Sequence, residues 1–141
     1  MDRERILTRL AQLDQYLKDL HGIAPATFDE YRRVEKKRAC ERLAQIAVEA
    51  AVDTCALLVR ELRLGLPGEE DDLLAKLLEG GFLSAETVGA LRRMKGLRNI
   101  LVREYGTVDD RLVYDMVTKR MGDLERFGRE VRALMSREGG S

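Results

Sequence analysis

The sequence predicts an all-α protein, an antiparallel up-and-down bundle of four to five helices. Three observations carry this expectation. The chain holds only 2 prolines and no tryptophan, with 45% hydrophobic and 35% charged residues, a balance typical of helical chains rich in Leu, Ala, Glu and Arg. Its apolar residues recur every three to four positions, the period of an amphipathic helix. Short turns separate these stretches, as between antiparallel neighbours in a bundle. At 141 residues the chain has the length of one domain with a core of its own. A single helical domain over 1–138 with a flexible tail at 139–141 is expected.

Taken in order, Ile6, Leu10, Leu13, Leu17 and Leu20 form one apolar seam, and Gly22 and Pro25 end that helix. Thr27 and Glu30 make a T-x-x-E capping pattern. It opens a second, long helix with no glycine or proline before Gly65 and Pro67. Its apolar positions include Tyr31, Val34, Leu43, Ile46, Ala47, Ala50, Leu57, Leu58 and Leu62. The Ala-rich middle, AQIAVEAAVDTCA, allows close approach of another helix, within the chain or across a dimer seam. LGLPGEEDD is a loop running into an acidic helix start, where carboxylates meet the positive pole of the helix dipole. DLLAKLLEGG is a short helix closed by Gly80 and Gly81. Ser84 caps the next helix, which runs to about Tyr105. After a turn at Gly106–Val108, one last helix covers DDRLVYDMVTKRMGDLERFGREVRALM, with Leu112, Met116, Leu124, Val131 and Leu134 on its inner face.

Charge and cysteine usage narrow the function classes. The 25 basic and 25 acidic residues balance, so no global field draws the chain to nucleic acid or anionic lipid, and any such site is a local patch. No apolar run approaches the roughly 20 residues that span a bilayer, and the amphipathic start MDRERILTRL lacks a signal-peptide core. The cytoplasm is the expected compartment. Cys40 and Cys55 lie on one helix about 22 Å apart, out of disulfide reach. With one histidine, His21, no metal site and no cofactor are expected. His21 itself sits at a helix end, where it meets the negative pole of the dipole.

The stretch LRNILVREYGTVDD, residues 97–110, carries the chemistry. At about 100° per residue, Leu91, Met94, Leu97, Leu101, Val102 and Tyr105 share one broad face. Arg98 falls inside that face, whereas Arg103 falls on the polar side beside Arg92. A guanidinium on an apolar face needs a carboxylate, carbonyl or phosphate partner to offset its lost hydration. An ion pair with a neighbouring helix, a side chain reaching the bundle edge, or a phosphate site would each supply one. Arg92, Arg93, Lys95, Arg98 and Arg103 place five cations in twelve residues without an acid between them, a patch of the kind that holds a phosphate backbone.

These residues resemble a known signature. RNILVREYGTVD is similar to the motif of HEPN-domain proteins of the HepT-like toxin group: Arg-Asn, four residues between the arginine and a histidine, then one residue and a tyrosine. The amphipathic first helix, the capped second helix, the approach LLEGGFLSAETVGALRRMKGLRN and the helix after YGTVDD agree, so the resemblance covers nearly the whole chain. It implies a homodimer with the motifs of two protomers meeting in a cleft. It further implies a metal-independent endoribonuclease toxin acting on RNA, often transfer RNA. Its implied partner is a minimal nucleotidyltransferase antitoxin, bound to the homodimer or in a higher hetero-oligomer, which transfers AMP to the motif tyrosine.

Carried onto this chain, the resemblance makes Arg98 the phosphate-stabilising arginine, Asn99 a positioning residue and Tyr105 the AMP acceptor. Arg92 and Lys95 are candidate RNA-phosphate contacts. The histidine position holds Arg103. Metal-free RNA cleavage needs an acceptor for the 2′-proton, a donor for the leaving oxygen and a cation at phosphorus. Arginine stays protonated at any accessible pH, so Arg103 can hold phosphate but cannot take a proton. Cleavage is expected to be lost or severely reduced. The alternative reading is a non-catalytic helical dimer that binds a nucleotide or docks a nucleotidyltransferase.

Overall fold

A computed structural model describes residues 2–66, 68–103 and 109–139. These residues form seven helices and no strand: α1 Arg3–Ile23, α2 Phe28–Tyr31, α3 Val34–Glu61, α4 Glu70–Glu79, α5 Ala85–Arg103, α6 Asp110–Lys119 and α7 Met121–Gly139. The four long helices α1, α3, α5 and α7 form a closed ring, α1 against α3, α3 against α5, α5 against α7 and α7 against α1. The all-α up-and-down bundle expected from the periodicity is present. No described helix is long and apolar enough to cross a membrane. The expected turn at residues 106–108, Tyr105, and residues 140 and 141 of the tail lie outside the described residues.

The helix count exceeds the expected four to five because two anticipated helices are each broken in two. Thr27 does cap a helix, its Oγ1 accepting from the Glu30 backbone at 3.1 Å, while Glu30 Oε2 accepts from the Ala26 backbone at 3.0 Å. That helix, α2, ends after one turn. Arg33 takes an extended backbone and α3 starts at Val34. The bend lets Phe28 and Tyr31 meet Tyr114 of α6 in an aromatic cluster, with the Arg111 guanidinium 3.9 Å from the Phe28 ring centroid. Lys36 Nζ donates to the Ile23 carbonyl across the gap at 2.7 Å. Val34, expected on the apolar face, is instead exposed at the new helix start.

The second break is at Arg120, between α6 and α7. Buried Val113, Met116, Val117, Met121 and Leu124 keep helical spacing straight across it, which is why one helix was expected. Gly122, a poor helix former, stands in the first turn after the break. Leu112, expected inside, is 53% exposed, because Val113 occupies the inward register. Met116, Leu124, Val131 and Leu134 are buried as expected, joined by Phe127 and Met135.

Local chemistry closes the other ends. The Asp2 carboxylate caps α1. After α4 the Phe82 amide donates to the Leu77 carbonyl and the Gly81 amide to that of Leu78, with Gly81 at φ +73°, a Schellman closure that favours glycine. The same pair of bonds ends α3, but there the left-handed residue is Arg63, φ +55°. The chain thus leaves α3 before Gly65, where a stop was expected.

Ala44, Ala47, Ala50 and Ala51 are buried on α3, so the Ala-rich face is used inside the chain, where α1 packs more extensively along α3 than any other pair does. Cys40 and Cys55 are free and buried, and desolvation pushes the Cys55 thiol up to about 12. The start of α5 is tied to α7 through Glu130. Its carboxylate accepts from the Ser84 backbone, the Ser84 hydroxyl and the Thr87 hydroxyl at 2.8, 2.9 and 2.6 Å. Ser84 Oγ also accepts from the Thr87 backbone, the cap expected of it.

Candidate functional site

The C-terminal half of α5 carries the signature, and α3 and α4 supply the facing walls. Together they form an open, polar groove of about 770 Å³. Lys95, Arg98, Asn99 and Arg103 line it from α5, with Val102 between them. A helix brings residues three and four apart onto one strip, so Lys95, Arg98, Asn99, Val102 and Arg103 border one side. Arg103, on the polar side of the wheel, and Arg98, on the apolar side, thus flank the same groove. Arg92 is exposed and is not among the lining residues. Tyr105 lies outside the described residues.

The opposite wall is acidic. Glu69, Glu70 and Asp71 from the start of α4 and Gln45 and Glu49 from α3 complete the lining. Arg98 Nη2 donates to Glu70 Oε1 at 2.5 Å, with side-chain exposures of 12% and 40%. Lys95 Nζ pairs with Asp71 Oδ1 at 2.5 Å, and its hydrogen bond and charge hold the Asp71 carboxyl below the ordinary carboxylate range. The near-buried position expected for Arg98 is therefore real, and a carboxylate from a neighbouring helix meets it. Glu70 reaches only one edge of the guanidinium: Arg98 Nε is buried without a hydrogen-bond partner among the described residues.

Electrostatically the groove is mixed. Four carboxylates, of Glu49, Glu69, Glu70 and Asp71, face three cations, of Lys95, Arg98 and Arg103. An incoming phosphate gains from the arginine forks at short range but not from a broad positive field. Among the described residues no cluster of His, Cys, Asp and Glu could hold a metal ion. His21 is remote from the groove, in the last turn of α1 as expected, with Nε2 3.0 Å from Glu125 Oε1 of α7. The acids of α4 were read from the sequence only as complements to the helix dipole. Their facing of Arg98 and Lys95 depends on how α4 packs against α5, which no spacing within either segment encodes.

The family model for ribonuclease HepT-like proteins matches residues 6–131. The chain belongs to the HepT-like family. It is 25% identical over 131 residues to the tRNA nuclease HepT of Aphanizomenon flos-aquae, covering 92% of this chain and 89% of that one. A putative RNase of Archaeoglobus fulgidus is 33% identical over 110 residues, 77% of each chain. In fold, this HepT-like chain resembles the tri-AMPylated HEPN toxin of Shewanella oneidensis solved with its MNT antitoxin, with a TM-score of 0.85 at 22% identity over 91% of this chain and 96% of that one.

Proposed function

We propose that this HepT-like chain is the toxin of a toxin–antitoxin pair, a metal-independent endoribonuclease by design, acting on RNA and on transfer RNA in particular. The observation that carries the reading is the groove in which Arg98, Asn99 and Arg103 stand together, at the positions of the family signature. Arg98 stabilises charge on phosphorus with its fork, Asn99 positions the backbone, and Lys95 and Arg103 hold flanking phosphates. Arg92, outside the groove, makes at most a peripheral contact. Arg103 slows the chemistry because a permanently protonated guanidinium cannot relay protons as imidazole does near neutral pH.

Two copies bring their grooves together in a homodimer. A minimal nucleotidyltransferase antitoxin neutralises the toxin by transferring AMP to the Tyr105 hydroxyl, adding phosphate charge and bulk to the signature. The names of the Aphanizomenon and Shewanella proteins support both halves of this reading. The alternative, a non-catalytic dimer that binds a nucleotide or docks the nucleotidyltransferase, is favoured by the excess of carboxylates and the absence of a histidine among the described residues of the groove.

R103H separates the two. On the ribonuclease reading it raises transfer RNA cleavage and growth arrest at least about 100-fold, the scale of a positioned acid–base group. A folded R103H dimer that, like the parent, neither cleaves RNA nor arrests growth points to the binding module. For the second half, co-expression with the nucleotidyltransferase is expected to add AMP to the peptide containing Tyr105, read by mass spectrometry. An unmodified peptide beside an active partner enzyme would refute it.

A further inference from the structure

Metal-free RNA cleavage by internal attack begins when a base removes the 2′-hydroxyl proton. Arg103 cannot accept it, and His21 lies on α1 against Glu125, away from the groove. One carboxylate in the groove is held directly by the phosphate-binding arginine. We propose that Glu70 is the general base of this site, standing in for the missing histidine; the inference rests on the ribonuclease reading above.

The geometry suits that role. Arg98 is nearly buried, and its Nη2 fixes Glu70 Oε1 at 2.5 Å. Glu70 Oε2 has no hydrogen-bond partner among the described residues, and the side chain, 40% exposed, is open to a ligand. A guanidinium presents two amino groups side by side in one plane. If one holds the carboxylate and the other a phosphate oxygen, base and phosphate lie next to each other. In RNA the 2′-hydroxyl is the neighbour of the 3′-phosphate, so the arginine aligns both reacting partners. Of the three other acids, Asp71 is engaged by Lys95 and Glu49 accepts from Gln45 at 2.8 Å, and among the described residues neither they nor Glu69 pair with Arg98.

In the step itself the 2′-oxygen gives its proton to the Glu70 carboxylate and forms a bond to phosphorus. The bond from phosphorus to the 5′-oxygen breaks, and that oxygen takes a proton from solvent water. The hydroxide so formed recovers the proton held by Glu70. The products are a 2′,3′-cyclic phosphate and a 5′-hydroxyl, with no net consumption of water. Arg98 neutralises the charge that builds on the phosphoryl oxygens. A solvent proton donor is inferior to a positioned acid, so this route is slow.

The test uses the full chain, end-labelled transfer RNA and a single-stranded RNA oligonucleotide, with the parent, E70Q, R103H and E70Q/R103H compared. The parent is expected to cleave slowly, leaving cyclic phosphate ends. E70Q should lower that rate at least about 100-fold without weakening RNA binding, and adding R103H should restore cleavage to E70Q. Cleavage by E70Q at or above the parent rate overturns the proposal and makes Glu70 a competitor of phosphate for Arg98. An inactive parent beside an active R103H also overturns it, while leaving the ribonuclease reading intact. If neither the parent nor R103H cleaves RNA, the ribonuclease reading itself fails. Should E70Q not fold, the parent and R103H pH–rate profiles decide. The acid limb of the parent should lie below that of R103H, where imidazole titrates near about 6.5; coincident limbs overturn the proposal.

Discussion

Replacing Arg98 by methionine asks whether this arginine serves the fold or a ligand. The change removes the charge-assisted bond to Glu70, a bond worth about 1.5–3 kcal/mol when both partners are buried. Glu70 is 40% exposed and rehydrates on release, so the loss shrinks to about 1 kcal/mol. Against it, the buried Nε that lacks a partner among the described residues disappears, relieving about 1–3 kcal/mol, and an apolar chain of similar reach fills the space. Hydrophobic replacement of buried ion pairs is commonly neutral or stabilising for this reason. R98M is therefore expected to lie between neutral and a gain of about 2 kcal/mol, with Tm moving about 2–4 °C per kcal/mol. In the same protein the salt dependence of RNA binding should fall by about one phosphate contact. Urea or thermal melts and binding titrations at several salt concentrations read both. A destabilisation above about 3 kcal/mol with RNA binding unchanged would refute the reasoning and make Arg98 a residue of the fold.

Three further outcomes are expected. Burial pushes the Glu130 carboxyl up, but bonds from the Ser84 backbone, Thr87 and Ser84 hydroxyls and the Arg126 charge outweigh it and lower it below 4.5. Its stabilisation is thus present above about pH 4.5 and fades as pH falls through the lowered value; E130Q should flatten that acid limb of a stability–pH curve, and an unchanged limb would contradict it. R63G should stabilise the chain by up to about 1 kcal/mol in thermal or denaturant melts, because a left-handed backbone strains any residue with a Cβ. D71N releases Lys95 and removes one carboxylate from the groove, so RNA affinity at low salt should rise a few-fold, with the gain fading as salt screens it.

The capping residues Thr27 and Ser84 were legible because a cap acts within four residues. So was the seam Ile6–Leu20, fully buried in the bundle. The place of Arg98 inside an apolar arc could be read as well, since one helix wheel holds all it needs. The breaks at Arg33 and Arg120 could not. The first is stabilised by Phe28 and Tyr31 meeting Tyr114, more than 80 residues away in the chain, and the second leaves the apolar period intact. Val34 was misplaced as a direct consequence, and Leu112 because Val113 takes the inward register.

The sequence by itself determined the helical class, the inward register of most seams and the signature that ties the chain to HepT-like proteins, because each rests on residues close together along one helix. The partner of Arg98 was decided only in three dimensions. Glu70 lies 28 residues earlier, and its local pattern speaks only of a helix start. The packing of α4 against α5 turned those dipole-complementing acids into the wall of a groove, setting a carboxylate beside the Arg98 guanidinium in the groove that Arg103 also lines. Periodicity within a segment sets which way a side chain faces, whereas what it faces is set by the packing of another.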